Sequence, residues 1–175
     1  MPYDPCEESC KTLTRKLLEH DIQPVWGSDP KVRTALVAAG WNPGRRFDVS
    51  AWVAMLRSAE FFIGDRALQV WREFGRLRVT SPADRSPPSS LLIDPVDACI
   101  DALDESHRLR DHYGIDFSPL GMWSIQFRTY MGSDSRVIAV GPKVVWKLGG
   151  SFSEALDYVV NGNGNRATEA DWLQP

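Results

Sequence analysis

The stretch "GWNPGRRFDV", residues 40–49, separates two segments of helical periodicity and forces the chain to turn a corner. Upstream, Val32, Ala35, Leu36 and Ala39 recur at the spacing of one helical face, with Ser28 or Asp29 as cap and Pro30 in the first turn. Gly40 ends that helix, because the residue past the last turn often takes a positive φ that glycine tolerates best. Trp41 is then expected to pack back on Leu36, and Pro43 prevents a restart. Beyond it, Asp48 or Ser50 is placed to cap a second helix with Val49, Trp52, Val53 and Leu56 on its apolar face. The decamer therefore predicts a tight helix-to-helix joint with Arg45 and Arg46 at its solvent edge. Phosphate binding by the two arginines competes with this, but no glycine-rich cradle accompanies them.

After the corner the helical period continues in "GDRALQVWREFG", where Ala67, Val70, Trp71 and Phe74 share a face and Gly75 supplies a stop. The pattern then changes. "LRVT" and "LLID" are short strands around the loop "SPADRSPPSS". Residues 95–113 are helical, with a break expected near Ser106 because the spacing of Val96, Ile100 and Leu103 does not carry on. In "SIQFRTY", Ile125, Phe127 and Thr129 alternate with polar neighbours and predict a strand. "RVIAV" and "KVVWKL" predict two more in an antiparallel meander. Ser151 and Glu154 have capping-box spacing for a last helix that buries Phe152, Ala155, Leu156 and Val159. "NGNGN" unwinds it.

Helices followed by strands indicate an α+β domain with a mixed or antiparallel sheet flanked by helices. A chain of 175 residues that is 43% hydrophobic sustains one full core. The boundaries expected are an N-terminal helical extension over residues 1–26, the domain over 27–162 and a flexible tail over 163–175.

Composition narrows the chemistry. A net charge of -3 lacks the basic excess of a general nucleic-acid binder. The acidic start "MPYDPCEESC" has no apolar core, so neither a secretory signal nor a membrane association is expected, and the protein is expected in the cytoplasm. Three cysteines, Cys6, Cys10 and Cys99, fit reduced thiols, and Cys6 and Cys10 have no second ligand pair at zinc-finger spacing. His107 and His112 lie five apart, not at the spacing of the zinc-protease motif, and belong on the surface of a charged helix. Cys99 is expected as a small buried hydrophobe. No catalytic residues, metal or cofactor are expected.

One charge pattern stands out. Asp94, Asp97, Asp101, Asp104 and Glu105 occur between Ser86 and His107 with neither lysine nor arginine among them. On one continuous helix the last four would share a face opposite Val96, Ile100 and Leu103. A solvated face is the ordinary meaning of such a run; a docking surface for a basic partner is the functional one. Trp123 and Tyr130 on the β half are the next candidates for contact.

With these landmarks in order, the sequence resembles the SUKH superfamily of bacterial immunity proteins, most closely its third subgroup, from about Val32 to Gly162. "AAGWNPGRRFDV" is similar to the subgroup's helix-ending "AGW-x-PGR-x-V-D" element, with counterparts to Gly40, Trp41, Pro43, Gly44, Arg45 and Asp48. "EFGRL" resembles an "FGGL" element through Phe74 and Gly75, with Arg76 where a second glycine is usual. "IDPVDA", "PLG" and "SFSEALDYVVNG" follow in the expected order, while "GSDSRV" departs from the usual "DGRV". The resemblance implies a mixed sheet flanked by helices and a stoichiometric inhibitor of a toxin domain, often a nuclease or nucleic-acid-modifying enzyme. The partner so implied is a cognate toxin with a basic groove, not nucleic acid itself. The alternative it carries is a regulatory scaffold, since distant members resemble adaptors of cellular signalling or wall synthesis.

Overall fold

The computed structural model of the protein describes residues 29–162, 164 and 166–173. The helical extension expected over residues 1–26, with Cys6 and Cys10, lies outside them. The described chain runs α1 (Pro30–Ala38), α2 (Ser50–Ser58), α3 (Asp65–Phe74), β1 (Arg78–Thr80), β2 (Ser90–Leu92), α4 (Pro95–Cys99), α5 (Leu103–Tyr113), β3 (Phe117–Trp123), β4 (Phe127–Gly132), β5 (Val137–Gly141), β6 (Val144–Gly149), α6 (Phe152–Asn161) and β7 (Ala167–Glu169). A 3-10 turn follows at Asp171–Leu173. The seven strands form one antiparallel sheet in sequence order.

Alternation along β5 shows how the sheet holds helices on both faces. Val137 and Ala139 join the larger core with Leu36, Trp52, Trp71, Phe74, Leu120, Phe152 and Leu156. Ile138 and Val140 point the other way, into a smaller core with Leu109, Phe117, Tyr130, Val145 and Leu173. The α+β class therefore holds, with a purely antiparallel sheet among the described residues.

The corner forms as its residues require. Asp29 caps α1 through the amides of Lys31 and Val32. Gly40 sits at φ +93°, and the amides of Gly40 and Trp41 donate to the carbonyls of Val37 and Leu36 at 3.0 Å, closing the helix with its spare acceptors satisfied. The Trp41 ring packs against the core cluster that contains Leu36, stacks on Phe74 of α3 at 6.3 Å, and its Nε1 donates to Glu73 at 3.0 Å. Arg45 is not at the solvent edge. It is half-buried, and its two terminal nitrogens each donate at 2.7 Å to the carbonyls of Glu73 and Gly75, so a guanidinium fork closes the end of α3. Arg46 is exposed as expected.

Gly75 does not provide a left-handed stop; its φ is -48°. A Cβ there would sit 2.5 Å from both the Phe47 ring and the Trp71 carbonyl, which is the need for glycine. The left-handed residue is Arg76, at φ +66°, where the related element carries its second glycine. Such a φ costs a residue with a Cβ on the order of 1 kcal/mol. Arg76 offsets it with an ion pair to the buried Asp94 at 2.5 Å and a place over the Trp52 ring.

Three further expectations are corrected. The break in residues 95–113 falls at Ile100–Ala102, where Asp101 takes φ +50°, and Ser106 is a buried residue inside α5. Ser124 and Ile125 form a left-handed turn, so the strand starts only at Phe127 and Ile125 is 75% exposed. The segment taken as a flexible tail adds β7 beside β6 and buries Ala170 and Leu173. The capping box is present in modified form: the Ser151 hydroxyl accepts from the Glu154 amide, while the Glu154 carboxylate reaches Gly150.

Candidate functional site

The acidic run divides by position. Asp94 is 1% exposed; it pairs with Arg76 and caps α4 by accepting from the Val96 amide at 3.1 Å. Glu105 is half-buried, accepts from the Tyr130 hydroxyl at 2.7 Å and lies 3.6 Å from Arg128. Arg128 also donates to the Ile100 carbonyl at 3.0 Å, tying β4 to the helix break. Asp94 anchors the start of α4 and Glu105, through Arg128, the break, so neither is a free surface carboxylate. Tyr130 is fully buried, and Trp123 is buried with its Nε1 donating to Ser89 at 2.8 Å, so both expected contact residues belong to the cores instead.

Asp97, Asp101 and Asp104 remain. All three are exposed, and no basic side chain pairs with them among the described residues. They do not share the face of one helix, because the break separates α4 from α5: Asp97 lies on α4, Asp101 in the break and Asp104 in the first turn of α5. Ile100, expected on the buried side, is 58% exposed between them.

The Tyr130 phenol is pushed well above its ordinary value, first by burial and then by the Glu105 carboxylate. An unfolded tyrosine ionises near pH 10, whereas the folded one keeps its proton beyond that. The stability of the neutral phenol is therefore complete below about pH 10 and falls by about 1.4 kcal/mol per pH unit as pH rises toward the folded value. Urea denaturation from pH 9 to 11 should show stability falling once pH passes about 10, and Tyr130→Phe should have the shallower fall, with only other groups such as Tyr113, also raised by burial, contributing; equal slopes in both proteins would disprove the assignment.

A second surface feature was not read from the sequence. Arg46, Phe47, Val53, Arg57, Leu68 and Arg72 line a groove of about 530 Å³ on α2 and α3. The available signal is that neither Arg57 nor Arg72 has an acid four residues before it, so neither is neutralised within its helix. In the groove, the exposed Asp48 carboxyl is held below its ordinary value by the Ser50 amide, which donates to it at 2.9 Å, and next by the Ser50 hydroxyl.

His107 is exposed and lines a cleft of about 170 Å³ with Glu60, Arg110 and Asp116; His112 is exposed and stacks on Trp172 at 3.9 Å. Neither is hydrogen-bonded to a serine, cysteine or carboxylate among the described residues. Cys99 is half-buried rather than fully buried, and burial pushes its thiol up, away from the reactive thiolate. No group of three His, Cys, Asp or Glu among the described residues is placed to hold a metal. No described helix is long and apolar enough to cross a membrane.

A family model described as SUKH-3 immunity protein matches residues 28–162. No curated protein and no solved structure matches the chain. The matched stretch takes in the Gly40 corner, the Arg45 clamp, the "PLG" strand and the capped last helix, and the chain thus belongs to the SUKH-3 immunity protein family.

Proposed function

We propose that the protein is a cytoplasmic immunity protein that binds a cognate toxin domain and blocks its active site or substrate groove without turnover. The toxin class proposed is a nuclease or nucleic-acid-modifying enzyme. The observation that carries this reading, beyond family membership, is the acidic arc of exposed Asp97, Asp101 and Asp104, which follows the chain from α4 through the break into α5 past exposed Ile100 and has no basic side-chain partner among the described residues. Enzymes that act on nucleic acid present basic grooves to phosphates, and carboxylates offered at similar reach compete for the same cations. Ile100 supplies an apolar contact in the middle of the charge. Asp94 positions the arc by capping α4, and Glu105 by holding Arg128, which ties the break to β4.

The test is the association rate with the toxin encoded beside this gene, measured across a salt series. Changing Asp97, Asp101 and Asp104 together to lysine should slow association by roughly ten- to a hundredfold at low salt. The difference should shrink as ions screen charges separated by more than about 8 Å at physiological strength. The thermal melt should hardly move, since the three side chains are exposed. Equal rates at low salt would remove the arc from the interface, and a neighbouring toxin that is not inhibited at all would remove the function.

A further inference from the structure

We propose that the arginine groove on α2 and α3 is a separate docking site for a protein segment carrying carboxylates beside an apolar side chain. Arg46, Arg57 and Arg72 are exposed at its rim, and half-buried Phe47, Val53 and Leu68 form its floor. No carboxylate pairs with any of the three arginines among the described residues. Asp48, the carboxylate that lines the groove, accepts from the Ser50 amide at 2.9 Å. Three like charges on one concavity repel one another, and they are stable there without an acid partly because Arg57 and Arg72 occupy last helical turns, where the helix dipole favours cations. Their planar forks match carboxylates; Arg46 spends one donor on the Arg45 carbonyl at 3.2 Å, and Arg57 and Arg72 face water.

Charge complementarity selects an acidic occupant, and the floor selects a peptide. A free phosphate or a duplex backbone has nothing to place on Phe47, Val53 and Leu68, a single strand has only a base to stack on Phe47, and one leucine or aromatic side chain covers all three. The chain is net negative, and α2 packs against α4, which carries Asp97, so a long polyanion along this side has like charge beside it. A short segment avoids it. The corner thus has two sides: Arg45 turns inward to close α3, and Arg46 turns outward to the groove. This site is opposite in sign to the acidic arc and does not rest on the toxin reading.

The experiment uses the full chain with three probes: a pool of short peptides of randomised order built from glutamate, leucine and phenylalanine; the same pool with glutamine for glutamate; and a thymidine oligonucleotide of equal length. The acidic pool should be retained over the glutamine pool, and less so as salt rises. Arg46→Glu, Arg57→Glu and Arg72→Glu combined should reduce retention about tenfold or more. The corresponding Arg→Gln triple, which adds no repulsion, should reduce it less, and thermal melts verify that each variant is folded. Equal retention of both peptide pools, no retention, or equal retention by a folded Arg→Gln triple overturns the proposal. Binding of the oligonucleotide at lower concentration than the acidic pool also overturns it and makes the groove a phosphate site.

Discussion

Gly121→Ala should leave the domain unfolded or without fixed packing at 37 °C. A Cβ at this position would stand 1.8 Å from the Leu92 carbonyl oxygen and 2.9 Å from the Asp94 amide, both backbone atoms. Neither neighbour is free to move away. Leu92 pairs with Met122 in the sheet, and Asp94 is fixed by Arg76 and by its cap on α4. On the other side of β3 the register to β4 shifts between Pro119 and Gly121, so the strand is already bulged. Overfilling a packed site usually costs about 1–3 kcal/mol, and a collision with two ordered backbones should exceed that. Against a typical stability of about 5–15 kcal/mol, the loss is visible as a collapsed urea midpoint and a weakened near-ultraviolet signal. A melt within a few degrees of the parent would show that β2 and β3 separate more easily than the contact implies.

Phe74→Ala should cost about 3–5 kcal/mol, the range for deleting a buried aromatic ring. Phe74 is fully buried, with Trp41 stacked at 6.3 Å and Phe152 at 5.0 Å, so one ring joins the corner, α3 and α6. Trp41→Ala should cost less, because the indole is half-buried and its Nε1 bond to Glu73 is partly replaceable by water. The double variant should lose less than the two single losses added, since both remove the same contact. Chemical denaturation of the three proteins measures this. Strict additivity would mean that the stacked pair contributes nothing jointly.

What was legible in the chain was whatever depends on near neighbours. The period of Ala67, Val70, Trp71 and Phe74 marks a buried face without further information, and all four are buried. Gly40 and Ser151 act through bonds to residues within one turn, so their roles at helix ends follow from spacing. Residues whose partners lie far along the chain were misplaced. Arg45 resembles any exposed arginine until α3 returns beside it, 28 residues later in sequence at Glu73. The acidic run reads as one surface because nothing local distinguishes Asp94, taken inward by Arg76, or Glu105, held by Tyr130 and Arg128, from the three aspartates left in water. The break at Ile100–Ala102 has no proline or glycine to announce it, and the tie from Arg128 on β4 to the Ile100 carbonyl is a long-range contact. Ser124–Ile125 lacks the asparagine or glycine that usually marks a left-handed turn, so alternation carried the expected strand too far toward the N-terminus.

The strand order has a consequence in time. Because each strand pairs with the one that precedes it in sequence, no pairing must wait for a distant segment, and the longest detours between partners are the helical connections from β2 to β3 and from β6 to β7. Topologies rich in local pairing close quickly, within the millisecond-to-second range of small domains. Ribosomes add roughly 5–20 residues per second, so a chain of 175 residues takes on the order of ten seconds to emerge. The sheet can therefore be assembled strand by strand during synthesis, each new strand finding its partner already in place on the strand made just before it.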